Sequence, residues 1–486
     1  MRKTRKKVFK GGKAFAAGGF GCVFRPALKC NDSNISQTGM ISKLMLNKYA
    51  EREIKLIKQA YDTIKNIPNF KKYFLVYDYN ICQPSSLNSN DLIDFNYKCQ
   101  DTLPDNSNTI NKNLYDYKII NSPDGGVDLS YWIDTKFGKY AKEMQYNIAD
   151  LLWNINTALV NLFANGIIKL KTYSYYHMDI KAQNILTKDE GVTAKLIDYG
   201  LAFKQTSNKV PNELKNRALL FNTPFSILLF QKPFIDILLK KVNNIFNDFN
   251  NNSYLINDTY GRKTLLQPIV LETMKEFISD INAGHWRYLQ YFYKELFEQL
   301  FEESEDGDAI SQFNEQLSTD YYRYNFISEY ITEAANKFIN WKSNPITFNE
   351  DLLWNKAFKF NTDTFGFLTI YQNIISAPNM SKSGYKYLNG TLSGWKEISL
   401  FQKKVIEILG EYLLNTEYAI KPIPDNKLIE DLRELGQILS PATSDPNKFK
   451  KTPIWSDTYY TLKSKSKTKT RKIFKAGKKF KIIKNK

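Results

Sequence analysis

The chain has 486 residues, 43% of them hydrophobic and 14% aromatic, and carries a formal charge of +18. This composition excludes global disorder and leaves room for two to four domains, or for one domain with large insertions. The charge sits at the ends: residues 1–13 hold seven Lys/Arg and residues 463–486 hold twelve, with no acid in either, so the remaining chain is close to neutral. The basic leader is not followed by an apolar run, which argues against a secretory signal. No stretch approaches the roughly 18 uninterrupted apolar residues of a membrane span. Cys22, Cys30, Cys82 and Cys99 form no CxxC pair, and free thiols in a reducing compartment are the expectation.

Residues 14–45 alternate apolar residues with glycine turns and read as strands. Residues 47–66 place Ile54, Ile57 and Ile64 at helical spacing. Phe74, Leu75 and Val76 read as the start of another strand. Residues 80–113, rich in Asn, Ser, Asp and Pro, read as a long loop or insertion. A strand over 114–120 and a turn over 121–128 follow. Residues 143–167 read as a long helix, then short strands surround Ile185 and Leu196. From about 230 the pattern is helical and aromatic, broken by the acidic loop 302–308. Strands first and helices afterwards predict an α+β chain of two lobes.

Two clusters carry chemistry. In AFAAGGFGCVF (14–24), Gly18, Gly19 and Gly21 form a tight turn between apolar runs. Glycines there would let backbone N–H groups approach a polyanion, with Phe20 at the tip as a cover and Val23 against a planar ring. A plain hairpin turn reads the same way. Lys43 is a lone charge within the apolar GMISKLM, either an exposed edge lysine or a phosphate ligand needing a carboxylate partner; Glu53 is the first candidate and Glu51 the second. The second cluster is YHMDIKAQNILTKDEGVTAKLIDYG (176–200). Asp179 and Asn184 on one loop can orient a hydroxyl and bind a divalent cation, and Asp198 can bridge that cation to phosphates. Taken singly, His177 reads as a core histidine, Asp179 as a cap, Lys181 as a solvated lysine and Asp198 as a turn former. Zinc is not expected, because His177 and His285 lack Cys or His partners nearby.

The ordered set resembles a eukaryotic-type serine/threonine protein kinase. Ala16, Gly18, Gly21 and Val23 fall on the family pattern G-x-G-x-x-G-x-V, with alanine replacing its first glycine; ISK places Lys43 on the lysine of V-A-I-K. HMDIKAQN matches H-R-D-L-K-x-x-N at His177, Asp179, Lys181 and Asn184, and Asp198-Tyr199-Gly200 matches D-F-G. The basic leader, GGFGCVF, ISK and HMDIKAQNIL together are similar to kinases encoded by giant and related large DNA viruses. The resemblance implies a bilobal kinase-like fold, ATP and Mg²⁺ as cofactors, and a protein substrate with a Ser/Thr acceptor. It also implies roles: Asp179 as base, Lys181 on the transferring phosphoryl group, Asn184 and Asp198 on magnesium, Lys43 on the α- and β-phosphates, and adenine held near 120–124.

There are departures. Met178 replaces the family arginine, so activity is not expected to depend on a phosphate meeting that arginine. The A-P-E position reads Thr223-Pro224-Phe225, without the glutamate, so another brace is needed. NTDTFGFL resembles D-x-W-S-x-G, placing Asp363 under the catalytic loop and making 226–350 an insertion of about 125 residues, for bracing or for substrate docking. The expected organisation is a basic leader 1–13, an N-lobe 14–125 with an insertion near 80–113, a C-lobe 126–460 with an insertion near 226–350, and a basic low-complexity tail 461–486. The expected setting is intracellular, in host cytoplasm or virion. Three other readings stay open: a pseudokinase scaffold, a small-molecule kinase, and a basic nucleic-acid-binding structural protein. The tails alone favour nonspecific contact with nucleic acid or other polyanions.

Overall fold

Alternating side chains set the N-terminal region. In the computed structural model, β1 (Lys13–Gly18), β2 (Gly21–Arg25), β3 (Met40–Leu46), β4 (Asn80–Cys82) and β5 (Tyr117–Pro123) form a five-stranded antiparallel sheet in the order β1-β2-β3-β5-β4. The structure describes residues 12–18, 20–31, 39–137, 148–188, 190–248, 258–293, 296, 319–377 and 395–440. Successive residues point to opposite faces of a strand. Thus Leu44 and Ile119 join Phe24, Phe95 and Leu103 in one buried cluster, while Met45 and Ile120 join Ala50 in another. The second face is covered by α1 (Asn47–Ile64), whose isoleucines recur at helical spacing.

The sequence expectation for 74–82 is corrected. Phe74, Leu75 and Val76 are buried, yet the sheet strand is β4, inside the segment expected to be loop. Residues 74–76 instead tie the sheet region to the helical region: Leu75 N donates to Leu196 O at 3.1 Å, and Leu196 N donates to Tyr73 O at 2.8 Å. The 80–113 segment also contains the short helix α2 (Phe95–Cys99) and is packed on the sheet. The turn expected over 121–128 is shorter, because β5 runs to Pro123 and β6 (Val127–Asp128) follows. Gly126 takes φ +104°, and a Cβ there would lie 2.0 Å from Thr187 O, so glycine is required.

The free-thiol expectation is overturned. Cys22 is bonded to Cys99 and Cys30 to Cys82, with Cα–Cα distances of 5.3 and 5.7 Å. The partners are 77 and 52 positions apart. Only the folding of the insertion back onto β2 brings them together.

The C-terminal region is mainly helical: α3 (Leu129–Phe137), α4 (Ile148–Leu162), α5 (Ile168–Thr172), α6 (Lys232–Asp248), α7 (Thr259–Asp280), α8 (Trp286–Phe292), α9 (Thr319–Phe338), α10 (Glu350–Leu353), α11 (Lys359–Ile375), α12 (Trp395–Tyr412) and α13 (Asp425–Leu439). Short strand pairs interrupt them: β7 (Tyr175–Tyr176) with β10 (Phe203–Lys204), β6 with β8 (Ile185–Thr187) and β9 (Lys195–Leu196), and β11 (Ile339–Asn340) with β12 (Thr347–Phe348). A π turn over Phe163–Ile167 joins α4 to α5 in one helix, Ile148–Thr172, which by length and apolarity alone could cross a membrane. In the fold 72% of its apolar window is buried, much of it in the central hydrophobic cluster. Helix α11 is buried along nearly its whole length and forms the floor of the region described next.

Candidate functional site

The glycine turn is shaped by its neighbours. A Cβ at Gly21 would lie 2.7 Å from Leu44 O and 3.0 Å from Met45 Cβ, so β3 leaves no room for a side chain. A Cβ at Gly18 would meet only Gly21 O and Lys43 Cε, both at 3.9 Å, so that position faces the lysine across open space. Gly19 lies outside the described residues. Phe20 at the tip is 54% exposed, and its ring rests 4.9 Å from that of Tyr49 on α1. Val23 pairs in register with Lys43. Lys43 Nζ donates to Glu53 Oε2 at 2.6 Å. Glu51, the second candidate, pairs with Lys118 instead, at 3.1 Å. The helical period explains the choice: Glu53 lies on the face of α1 turned to the sheet, and Glu51 on the exposed face.

Asp179 is the centre of the second cluster. Its carboxylate accepts from Lys181 Nζ at 2.8 and 3.1 Å and from Asn184 Nδ2 at 2.9 Å. Asn184 Nδ2 also donates to Asp179 O at 2.8 Å, which closes the loop on itself. A third donor was not anticipated from sequence: Asn222 Nδ2 reaches Asp179 Oδ1 at 2.9 Å and Ile180 O at 3.1 Å. Asn222 precedes the quoted Thr223-Pro224-Phe225, but nothing in its local spacing signals a contact 43 positions away. Both Asp179 and Asn222 are buried, at 8% and 1% exposure.

The backbone under this cluster is held by Asp363. It is fully buried and accepts from His177 N at 2.9 Å and Met178 N at 2.8 Å. These bonds stabilise a loop in which Met178 takes a left-handed φ of +65°. His177 Nε2 donates to Ile197 O at 3.0 Å, so its role here is to join the loop to the segment leading to Asp198. Asp198 is also left-handed, φ +62°, and accepts from Gly200 N at 3.1 Å. Tyr199 is buried beside the His177 ring, centroids 5.2 Å apart, and donates to Leu196 O at 3.0 Å. Burial, then Tyr79, Tyr175 and Asp198, push its hydroxyl ionisation far up, so it stays neutral. Tyr79, from the sheet region, is raised by burial first and then by Glu53, Tyr77 and Asp198, which puts it in the field of both clusters.

Among the described residues no group of three or more His, Cys, Asp or Glu is placed to hold a metal ion. An amide and one carboxylate remain. Asn184 commits its Nδ2 to Asp179 and no described donor meets its Oδ1; Asp198 receives one bond, at Oδ1. This donor set fits a hard divalent cation that keeps water or phosphate oxygens as its other ligands. Chemically, the arrangement offers a positioned carboxylate, an adjacent ammonium group and a second, carboxylate-held ammonium beside a glycine turn.

The segment carrying Asn222 is braced without an ion pair at Phe225. The Phe225 ring is enclosed by Tyr293, Phe326, Tyr330 and Phe365, at centroid distances of 5.4–6.0 Å. Nearby, Lys215 and Glu350 pair at 2.6 Å. Gly366 on α11 was also missed: a Cβ there would lie 2.6 Å from Ile180 O and 3.0 Å from Asn222 O, so glycine lets the helix approach both backbones. The basic leader up to residue 11, the acidic loop 302–308 and the tail 461–486 lie outside the described residues. Neither a scan against protein-family models nor a search of curated proteins finds a match to this chain.

Proposed function

We propose that the chain is an ATP-dependent serine/threonine protein kinase with a bilobal kinase-like fold, akin to those of giant and related large DNA viruses. The observation that carries the reading is the Asp179 carboxylate, ringed by Lys181, Asn184 and Asn222 donors at 2.8–3.1 Å. The Lys43–Glu53 pair and the strand order β1-β2-β3-β5-β4 support it.

In this reading Asp179 receives the proton of a Ser or Thr hydroxyl as that oxygen bonds to the γ-phosphorus of ATP. The bond to the β–γ bridging oxygen breaks, and ADP leaves. Lys181 stabilises charge on the transferring group. Lys43, fixed by Glu53, contacts the α- and β-phosphates. Backbone around Gly18, Gly19 and Gly21 approaches the phosphates, under Phe20, and Val23 lies against the adenine. Asn184 Oδ1 and Asp198 would hold magnesium, which when bound supplies charge neutralisation between phosphates. The setting belongs to the same proposal: host cytoplasm or virion, where the two disulfides require an oxidising step. The basic ends would touch polyanions without sequence preference, and binding to heparin would be lost on deleting both while phosphoryl transfer persists.

The test is transfer of labelled phosphate from ATP, with magnesium, to the protein itself and to a panel of acidic and basic proteins. Asp179→Asn should lower the rate by roughly 10²–10⁴. Near-normal transfer by that variant overturns the reading. Magnesium-ATP binding by the wild type without any transfer identifies a nucleotide-binding scaffold instead.

A further inference from the structure

Helices α7 and α8 lie in the segment that the proposed reading leaves without a role. Three contacts join the residues flanking α8 to the chain just before Asn222. His285 N, just before α8, donates to Leu219 O at 2.8 Å. Gly284 takes φ +48°, and a Cβ there would lie 2.5 Å from Leu219 O, so only glycine permits this approach. Tyr293, at the other end of α8, donates its hydroxyl to Phe221 O at 2.9 Å. Phe221 is stacked on His285 at 5.6 Å and packed against Tyr288 and Phe292 at 5.0 and 4.8 Å. Helix α8 is anchored in turn to the buried α11, where Gln372 Nε2 donates to Phe292 O at 2.9 Å.

The carbonyls of Leu219 and Phe221 are therefore held by the two residues flanking α8, while Asn222 donates to Asp179. Leu219 and Phe221 lie three residues and one residue before Asn222. A carbonyl that shifted by an ångström at either would carry the Asn222 amide out of hydrogen-bond range of Asp179. Met178 stands where the family has arginine, so no arginine at that position is available to hold this segment through a phosphate.

We infer that α8 with its flanking Gly284, His285 and Tyr293 is an intramolecular latch that positions Asn222 on Asp179 and makes activity independent of phosphorylation of the 198–225 segment. This rests on the proposed kinase reading. Tyr293 and Asn222 are then positioning residues. The latch couples to the Asp179 carboxylate rather than to the glycine turn, so loosening it affects turnover and leaves nucleotide binding alone.

Two measurements test it. Tyr293→Phe removes one hydroxyl and keeps the ring in its packing. It should lower kcat roughly 3- to 10-fold, the worth of one hydrogen bond, with KM for ATP unchanged within about twofold. Independently, wild-type protein treated with a phosphatase, which is then removed, should show the same initial rate as untreated protein. An unchanged kcat for Tyr293→Phe, or a fall in KM-matched rate after phosphatase treatment, overturns the latch. These outcomes need an active wild type. A wild type inactive toward every acceptor bears on the kinase reading itself, and an active one with either contrary result bears on the latch alone.

Discussion

Asp363 shows how much one side chain can settle. A buried carboxylate is costly unless its oxygens are satisfied, and here two consecutive N–H groups, from His177 and Met178, meet them. The same bonds offset the left-handed conformation at Met178, so the loop carrying Asp179 is held from beneath. The motif NTDTFGFL made Asp363 legible, but Gly366 beside it was not, because its requirement comes from the carbonyls of Ile180 and Asn222. His285 is another residue whose role local sequence did not carry. Burial, followed by the positive Lys181, lowers its pKa, while Asp179 acts in the opposite direction. The folded protein therefore resists protonating it, and the unfolded chain, near 6.5, takes up the proton first. Stability should be level above that value and fall as pH drops through the folded-state pKa. Urea unfolding at pH 7.5, 6.5 and 5.5 should show a steeper loss for wild type than for His285→Gln. Equal slopes would mean that the imidazole titrates normally.

At the level of elements, the glycine hairpin separates two requirements that a sequence pattern merges. Gly21 is needed by the fold, since β3 occupies the space of its Cβ; Gly18 has room for a methyl group that would point toward Lys43. Gly21→Ala should cost about 1–3 kcal/mol by overpacking, read from denaturant unfolding. Gly18→Ala should change stability by less than about 0.5 kcal/mol and raise KM for ATP several-fold. A Gly18→Ala variant with wild-type KM would remove that glycine from the proposed phosphate cradle. Helix α1 was legible from its isoleucine spacing, and Glu53 stood first of two candidate partners for Lys43, the choice that the pairing at 2.6 Å makes. Strand β4 was not, because Asn80, Ile81 and Cys82 carry little alternation of their own and gain their conformation by pairing with Asn121, Ile120 and Ile119.

At the scale of the whole molecule, the cysteines are the largest revision. Cys22–Cys99 ties the strand after the glycine turn to α2, and Cys30–Cys82 ties the chain after β2 to the edge strand. Together they clamp the 80–113 segment on one face of the sheet, where Phe24, Phe95, Leu103 and Ile110 form a core. Closing loops of this length should contribute about 2–4 kcal/mol per bridge. Dithiothreitol should lower the urea midpoint, and thiol titration in denaturant should rise from none to all four cysteines on reduction. Four titratable thiols before reduction would show that the bridges do not form. A compact helical region surrounds α11, and the helices between 232 and 338 pack into its core rather than standing apart from it.

Sequence alone determined what depends on neighbours within a turn or two: the glycine hairpin, the α1 face, and the spacing of Asp179, Lys181 and Asn184. Local geometry suffices there, because strand and helix periods dictate which side chains share a face. Tertiary structure decided what depends on chain path. Asn222 meets Asp179 across 43 positions, Asp363 meets His177 across 186, and Cys22 meets Cys99 across 77. Hydrogen bonds and sulfur bridges act over a few ångströms, and no residue spacing specifies which distant segments the packed core will bring that close.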